Sequence, residues 1–471
     1  MSRSSATLEP TLFGTQSPWQ RAGWIAAIVA MGACAAVFSA LQVAVVIAGL
    51  VCLVLTISRP SWGIALVLLA IPLEFAVLDL GTVGLSAVQI VMLLLAGLMV
   101  AEMFATGRFE IHKTPLDVPI FVWLAVGFLG AVGAVDPAAT IKKAGMTLVL
   151  AAVYYLVVKK VRRLSTVSEL MTALVVACTA VGAYGIWVSY RYLASGVVTG
   201  NSLVVGSEGL SVPRASSTVG DPTLLAGLMV LALPIAVMLV VVQRGWKRVF
   251  AIGATGIVLV SLGFTFTRGA WMGAACGLAV LALEKRSRRA LIVLAVILLL
   301  LSPADVRNRA ASSTNFGRAE ISHRFDYWQG ALLIAETHPL FGVGVNNFEY
   351  AFARLPVAET AQRVAIHAHN IVLALLSETG VIGLLSWGAF IAGTLVLLLR
   401  RRRADQCEER RLWRLAIAAS ILGSIAHQMT DSFLLEPTVN AMLWIFAGLA
   451  VLMGSGLIDD GTSDTSPGSS E

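Results

Sequence analysis

The sequence predicts an all-α fold: a polytopic transmembrane helical bundle of twelve to fourteen spans with one long, structured extracytoplasmic loop. Three observations predict it. Of 471 residues, 58% are hydrophobic and 13% charged, with a mean hydropathy of +0.84, whereas soluble domains carry about 25% charged residues. Apolar runs long enough to cross a hydrocarbon core of ~30 Å recur along almost the whole chain. The basic residues gather in alternate connections, as the positive-inside rule requires.

Hydropathy places spans at roughly 21–39, 41–57, 61–78, 86–105, 117–135, 140–158, 168–190, 223–243, 248–265, 268–283, 290–304, 369–399, 412–434 and 438–457. Twelve is the alternative count, because the pairs 21–57 and 268–304 contain short spans. With the N-terminus cytoplasmic, 23 of the 34 Lys and Arg fall on one side, including "KKVRR" at 159–163, "KRSRR" at 285–289 and "RRRR" at 400–403. The expected topology is N-in and C-in. The net charge of +7 is therefore an orientation signal, and a nucleic-acid partner is not indicated.

The chain accordingly divides into a cytoplasmic segment 1–20, transmembrane helices over 21–304 with an extracytoplasmic loop at 191–222, a large extracytoplasmic loop 305–367, transmembrane helices over 368–457, and a tail 458–471. The first span reads as an uncleaved signal. The small, acidic tail has the composition of a disordered segment. The five cysteines form no CxxC and no plausible pair, so neither a metal framework nor a disulfide framework is expected.

Loops as long as 305–367 usually carry function when they are not disordered. Ile321, Phe325, Trp328, Leu332 and Ala335 recur at helical spacing, which predicts an amphipathic helix ending at His338-Pro339. "GVGVNN", Gly342 to Asn347, superficially resembles a dinucleotide fingerprint, but it lacks the third glycine and a preceding strand. It is read as a tight turn joining two surface helices.

Chemistry is expected at the outer face. Arg268, in "FTFTRGAW", interrupts two apolar runs, so it either snorkels to the headgroups or binds an anion there. Arg214, in "VPRASSTVGDP", is either a solvated loop residue or a second anion ligand. Arg324, on the polar side of the amphipathic helix, suits a surface ion pair or packing within the loop, with anion binding the alternative. Arginines converging from separate loops suit phosphate, whose oxygens the guanidinium binds bidentately. On an outer membrane face that phosphate belongs to a lipid carrier.

"HAHNIVLALLSETGVIG", from His367, opens an apolar helix with two of the chain's six histidines. Asn370 or a neighbour caps that helix, and its positive end favours an anion. A cationic setting also favours the neutral imidazole that a general base needs. The alternative is a structural histidine bound to loop carbonyls. A metal pair would need a third ligand, and none lies at helical or hairpin spacing. Glu74, Glu378, His427 and Asp431 are the polar exceptions within the spans, so a transport path remains an alternative.

These residues resemble a known family. His369-Asn370, nine residues, then Gly380-Val381-Ile382-Gly383 fit H-N-x9-G-x-x-G, which is similar to the motif of the O-antigen ligase family and related polysaccharide polymerases. "RFDYWQGALLIAETHPLFGVGVNNF" resembles the family's loop, an Arg-led helix followed by P-L-x-G-x-G-x-x-x-F. "RASSTVGDPTLLA" and "TFTRGAWMGAACGL" are similar to its other two Arg-bearing segments. The order and hydropathy profile match from about 60 to 455.

The resemblance implies a helical bundle capped by the long loop. It implies transfer of a glycan from undecaprenyl diphosphate to an acceptor hydroxyl, without metal or cofactor, on the periplasmic face of a bacterial inner membrane. His369 becomes the candidate base, Arg214, Arg268 and Arg324 the diphosphate ligands, and His367 and Asn370 supporting residues. The implied partners are the lipid-linked glycan donor, a glycan or lipid A–core acceptor, and membrane lipids. A repeat-unit polymerase shares every one of these features. An exporter without catalysis is the remaining alternative, and it would call for inverted repeats and broken helices.

Overall fold

The computed structural model describes residues 59–74, 77–79, 84–107, 112–195, 204–207, 210–289, 291, 319–356, 367–400 and 407–458. The expected spans 21–39, 41–57 and 290–304, the segment 1–20 and the tail beyond 458 lie outside them. From Pro60 onward the chain forms one compact unit.

Thirteen α-helices order the described residues: α1 (Pro60–Leu69), α2 (Ala87–Thr106), α3 (Asp117–Leu129), α4 (Pro137–Lys160), α5 (Leu164–Ser195), α6 (Pro222–Val242), α7 (Gly245–Phe264), α8 (Arg268–Leu281), α9 (Ala319–Thr337), α10 (Phe348–Phe352), α11 (Ile371–Leu399), α12 (Glu408–Gln428) and α13 (Pro437–Ser455). Two antiparallel hairpins accompany them, β1 (Val77–Asp79) with β2 (Gly84–Ser86), and β3 (Val204–Ser207) with β4 (Leu210–Pro213).

Among the described residues, seven helices are long and apolar enough to cross a membrane: α2, α4, α5, α6, α7, α11 and α13. Two more, α3 with its following turn and α8, are apolar but shorter. The polytopic helical reading therefore holds. α12 is excluded by its first two turns, which carry Glu408, Glu409, Arg410, Arg411 and Arg414. The span expected at 61–78 is a ten-residue helix instead. Pro72 lacks an N–H and restricts the residue before it, so the chain leaves α1 through a 3-10 turn at Ile71–Leu73.

Helix starts follow from capping chemistry. Asp136 and Asp221 accept N–H bonds at the heads of α4 and α6, each followed by proline at the first helical position, where a missing N–H costs nothing. α6 and α13 lie at the centre, almost wholly buried. α8 packs on α12 through a small-residue stripe. A Cβ on Gly273 would stand 2.5 Å from the Gly423 carbonyl, and one on Gly277 would stand 2.9 Å from that of Ala419. Backbones approach this closely only where side chains are absent.

α11 is broken. Gly380 adopts φ 65° and ψ −170° inside it, and the segment 339–344 fills the break. Val343 and Gly344 donate N–H bonds to the Ser377 and Glu378 carbonyls, while Val381 and Ile382 donate to those of Pro339 and Leu340. "GVGVNN" does form the turn between α9 and α10, but not at the surface as expected: the stretch is buried and docked into the break of another helix. The Glu378 carboxylate accepts from the Asn346 and Phe348 N–H groups. The Asn347 side chain bonds the Asp136 backbone and Thr140 at the head of α4.

Candidate functional site

Five separate segments meet near the heads of α8 and α11. The Arg214 guanidinium donates to the Thr265 carbonyl and to Thr267 Oγ1, both at 2.8 Å. Those acceptors immediately precede Arg268, so Arg214 is fixed against the turn that begins α8. Next to Arg268, a Cβ on Gly269 would collide with Thr430 Oγ1, so the connection between α12 and α13 lies directly over α8. Arg324, on α9, donates to the Thr430 carbonyl at 2.5 Å. All three arginines are half-buried. Arg324 is thus bound to the loop that follows α12, and the expected surface ion pair is replaced by a backbone contact between elements.

Asp431 follows Thr430 and is 6% exposed. Its Oδ1 accepts the Ser432 N–H at 2.8 Å, and it stands 3.3 Å from His369 Nδ1 and 3.5 Å from His367 Nε2. The two imidazoles meet edge to face, with centroids 4.1 Å apart, and His369 lies over the Tyr327 ring of α9 at 5.7 Å. Asn370 caps α11 through Oδ1 on the Val372 and Leu373 N–H groups, and its Nδ2 donates to the Met429 carbonyl. One asparagine therefore both starts the helix and ties it to the loop bearing Asp431.

The electrostatics follow from burial. Desolvation pushes the His367 imidazole below its ordinary pKa, partly opposed by the negative Asp431. For Asp431, burial alone would raise the carboxyl, but the imidazoles of His369, His367 and His427 close to it hold it below the usual carboxylate range. Asp431 is an anion at neutral pH, set beside a His367 whose burial favours the neutral ring. His427, one helical turn before Asp431, is fully buried, and neither ring nitrogen has a hydrogen-bond partner among the described residues.

Backbone strain concentrates here. Ser217, Phe266, Asn346 and His369 are the described non-glycine residues with positive φ, and three of them lie at or within three positions of Arg214, Arg268 and His369. Each such conformation costs on the order of 1–3 kcal/mol and persists only where surrounding structure enforces it.

The fold supplies what sequence spacing could not. A third ligand atom beside the two histidines comes from Asp431, 62 positions after His369, and the ligand atoms of all three residues lie within 4.8 Å of one another. Two imidazoles and a carboxylate could hold a divalent ion such as zinc. They are equally a carboxylate–histidine pair suited to proton transfer. In the sequence Asp431 is only a polar residue near a span end, and no local pattern links it to His369.

The fold defines the class: a multi-pass helical membrane protein, with arginines and a histidine–carboxylate cluster near one helix head. Residues 253–388 match the family model described as O-antigen ligase. The resemblance read from the motifs is borne out over that segment, which holds Arg268, Arg324, His367, His369 and Asn370. No curated protein matches the chain. A solved chain from work on the structural coordination of polymerization and crosslinking by a peptidoglycan synthase complex aligns over 73% of this chain and 98% of its own, at 16% identity and a TM-score of 0.39.

Proposed function

We propose that this protein transfers a glycan from a polyprenyl diphosphate to an acceptor hydroxyl, with its site on the periplasmic face of a bacterial inner membrane. The observation that carries the reading is the His369–Asp431 contact at the capped head of α11, with Arg324 bound to the adjoining Thr430 carbonyl. With Nδ1 turned to Asp431, Nε2 of His369 is the nitrogen that takes the acceptor proton. The acceptor oxygen bonds to the anomeric carbon as the bond to the diphosphate oxygen breaks. Single displacement of this kind inverts the configuration.

Diphosphate is a good leaving group, so the demand is for charge stabilisation, which Arg214, Arg268 and Arg324 supply. Asp431 stabilises the imidazolium that forms on His369. His367 and Asn370 hold the geometry. No step requires a metal, although the His367–His369–Asp431 set has the donors for one.

Ligase and polymerase share this chemistry and differ in the acceptor, either lipid A–core or a second glycan. The exporter reading gains a broken helix in α11. That break, however, is closed by hydrogen bonds from 339–344 and does not line a transport path. The test is a deletion strain. Long glycan that accumulates unattached on its lipid carrier marks a ligase; loss of long chains with short lipid-linked units retained marks a polymerase. Glycan trapped on the cytoplasmic face would overturn both.

A further inference from the structure

Three side chains at the head of α11 are spaced like ligands around an ion. His369 Nδ1 and His367 Nε2 lie 3.3 and 3.5 Å from the same oxygen, Asp431 Oδ1. In a tetrahedral zinc site, with metal–nitrogen bonds of ~2.0–2.1 Å and metal–oxygen bonds of ~2.0–2.2 Å, neighbouring ligand atoms are about 3.3–3.5 Å apart. Hydrogen bonding does not account for the approach. Nδ1 of His369 is buried and has no hydrogen-bond partner among the described residues, so it comes close to the carboxylate without the alignment of a bond. Among the described residues, no other His, Cys, Asp and Glu side chains form such a group.

The set is braced and accessible. Asp431 Oδ1 accepts the Ser432 N–H, and Asn370 ties the head of α11 to the Met429 carbonyl, so the histidines and the carboxylate are held to one another. Supports of this kind orient the ligands of a metal site. Asp431 is buried, but the side chains of His367 and His369 are 28% and 27% exposed, so an ion can enter over the rings. Three protein ligands with water in the fourth position suit zinc. Two imidazoles disfavour Mg²⁺, which takes oxygen ligands in octahedral array.

We propose that His367, His369 and Asp431 bind Zn²⁺, and that the bound ion switches off the proposed transfer. The second half rests on the transferase reading. A neutral imidazole that ligates through Nδ1 carries its one proton on Nε2. In the proposed reaction Nε2 of His369 takes the acceptor proton, so it must be bare. The ion also engages the Asp431 charge that stabilises the imidazolium. Occupancy by zinc and action as a base therefore exclude each other.

The test uses tag-free, full-length protein in detergent, stripped with chelator and then given Zn²⁺, Co²⁺ or Mg²⁺. Elemental analysis after desalting finds stoichiometric zinc and no magnesium. Co²⁺ shows the visible ligand-field bands of a four-coordinate nitrogen–oxygen site, and Zn²⁺ raises the thermal midpoint of wild type. His367→Gln and Asp431→Asn each weaken Zn²⁺ binding by at least about tenfold. His338→Gln, which removes an exposed histidine outside the set, leaves binding unchanged. In the transfer assay, saturating Zn²⁺ lowers wild-type turnover on the order of 10²-fold, the loss of a positioned base; chelator restores it, and Mg²⁺ has no effect. No zinc retained by wild type, a six-coordinate Co²⁺ spectrum, or retention undiminished in both variants overturns the site. The spectrum and the midpoint are read on wild type, so they decide the site even where a variant fails to insert. Stoichiometric zinc with turnover unchanged or raised overturns the switch. If metal-free wild type makes no product, the transferase reading fails on its own and the binding measurements still decide the site.

Discussion

His369 holds its imidazole between Tyr327 and Asp431 from a backbone with φ 50°, a conformation that histidine adopts more readily than most non-glycine residues but that still carries strain. The strain makes sense if the ring must face the loop after α12 while Asn370, the next residue, caps α11. His369→Ala lowers glycan transfer by roughly 10²–10⁴-fold, the usual contribution of a positioned base, measured as initial rate against correctly inserted protein. Asp431→Asn keeps the volume but removes the charge that stabilises an imidazolium, and its transfer rate falls on the order of 10²-fold or more, with the His369→Ala, Asp431→Asn double variant no worse than the worse single. Additive losses in that cycle would separate the two residues into independent roles. At this scale the sequence is informative where chemistry is local: His369, Asn370 and Arg268 stand out from the apolar runs they border, and Arg214 and Arg324 from their place in the outer loops. Asp431 does not, because its meaning depends on a contact across 62 positions.

At the scale of elements, the two glycine motifs of the long loop and α11 are halves of one joint. A Cβ on Gly342 would lie 2.3 Å from the Glu378 carbonyl carbon, and one on Gly380 would lie 2.3 Å from that of Leu340; both residues also have positive φ. Gly342→Ala and Gly380→Ala each destabilise by about 2–4 kcal/mol through overlap and backbone strain, seen as a lower thermal midpoint of the detergent-solubilised protein. Gly388→Ala, on the same helix with nothing within 4 Å of its Cβ position, is neutral or stabilising by up to ~1 kcal/mol. The spacing G-x-x-G in α11 is visible in the sequence, but its reason is not, since a helix pattern cannot announce that a loop will replace some of its own hydrogen-bond partners. The expected span at 61–78 fails for a more elementary reason: Pro72 outweighs hydropathy.

For the whole molecule, the bundle brings the heads of α8 and α11 together beneath α9 and places a buried anion among histidines. Acid should therefore loosen it. His367 has a folded-state pKa below its ordinary value of 6.5, so its contribution to stability is complete above about pH 6.5 and is lost as pH falls through the folded value. The depressed Asp431 carboxyl acts in the same direction at lower pH. The thermal midpoint falls between pH 7 and pH 5, and His367→Gln flattens that slope. A midpoint that rose on acidification would mean the imidazoles gain rather than lose charge-stabilising contacts. In the proposed reaction His369 takes the acceptor proton as the glycan leaves its lipid-linked diphosphate. Its most direct test is product formation by the purified protein given an undecaprenyl-diphosphate glycan and its acceptor, with wild type and His369→Ala compared at equal, folded protein. Wild type turns over with inverted anomeric configuration, and His369→Ala loses turnover while donor binding persists. Near wild-type turnover in His369→Ala would contradict it.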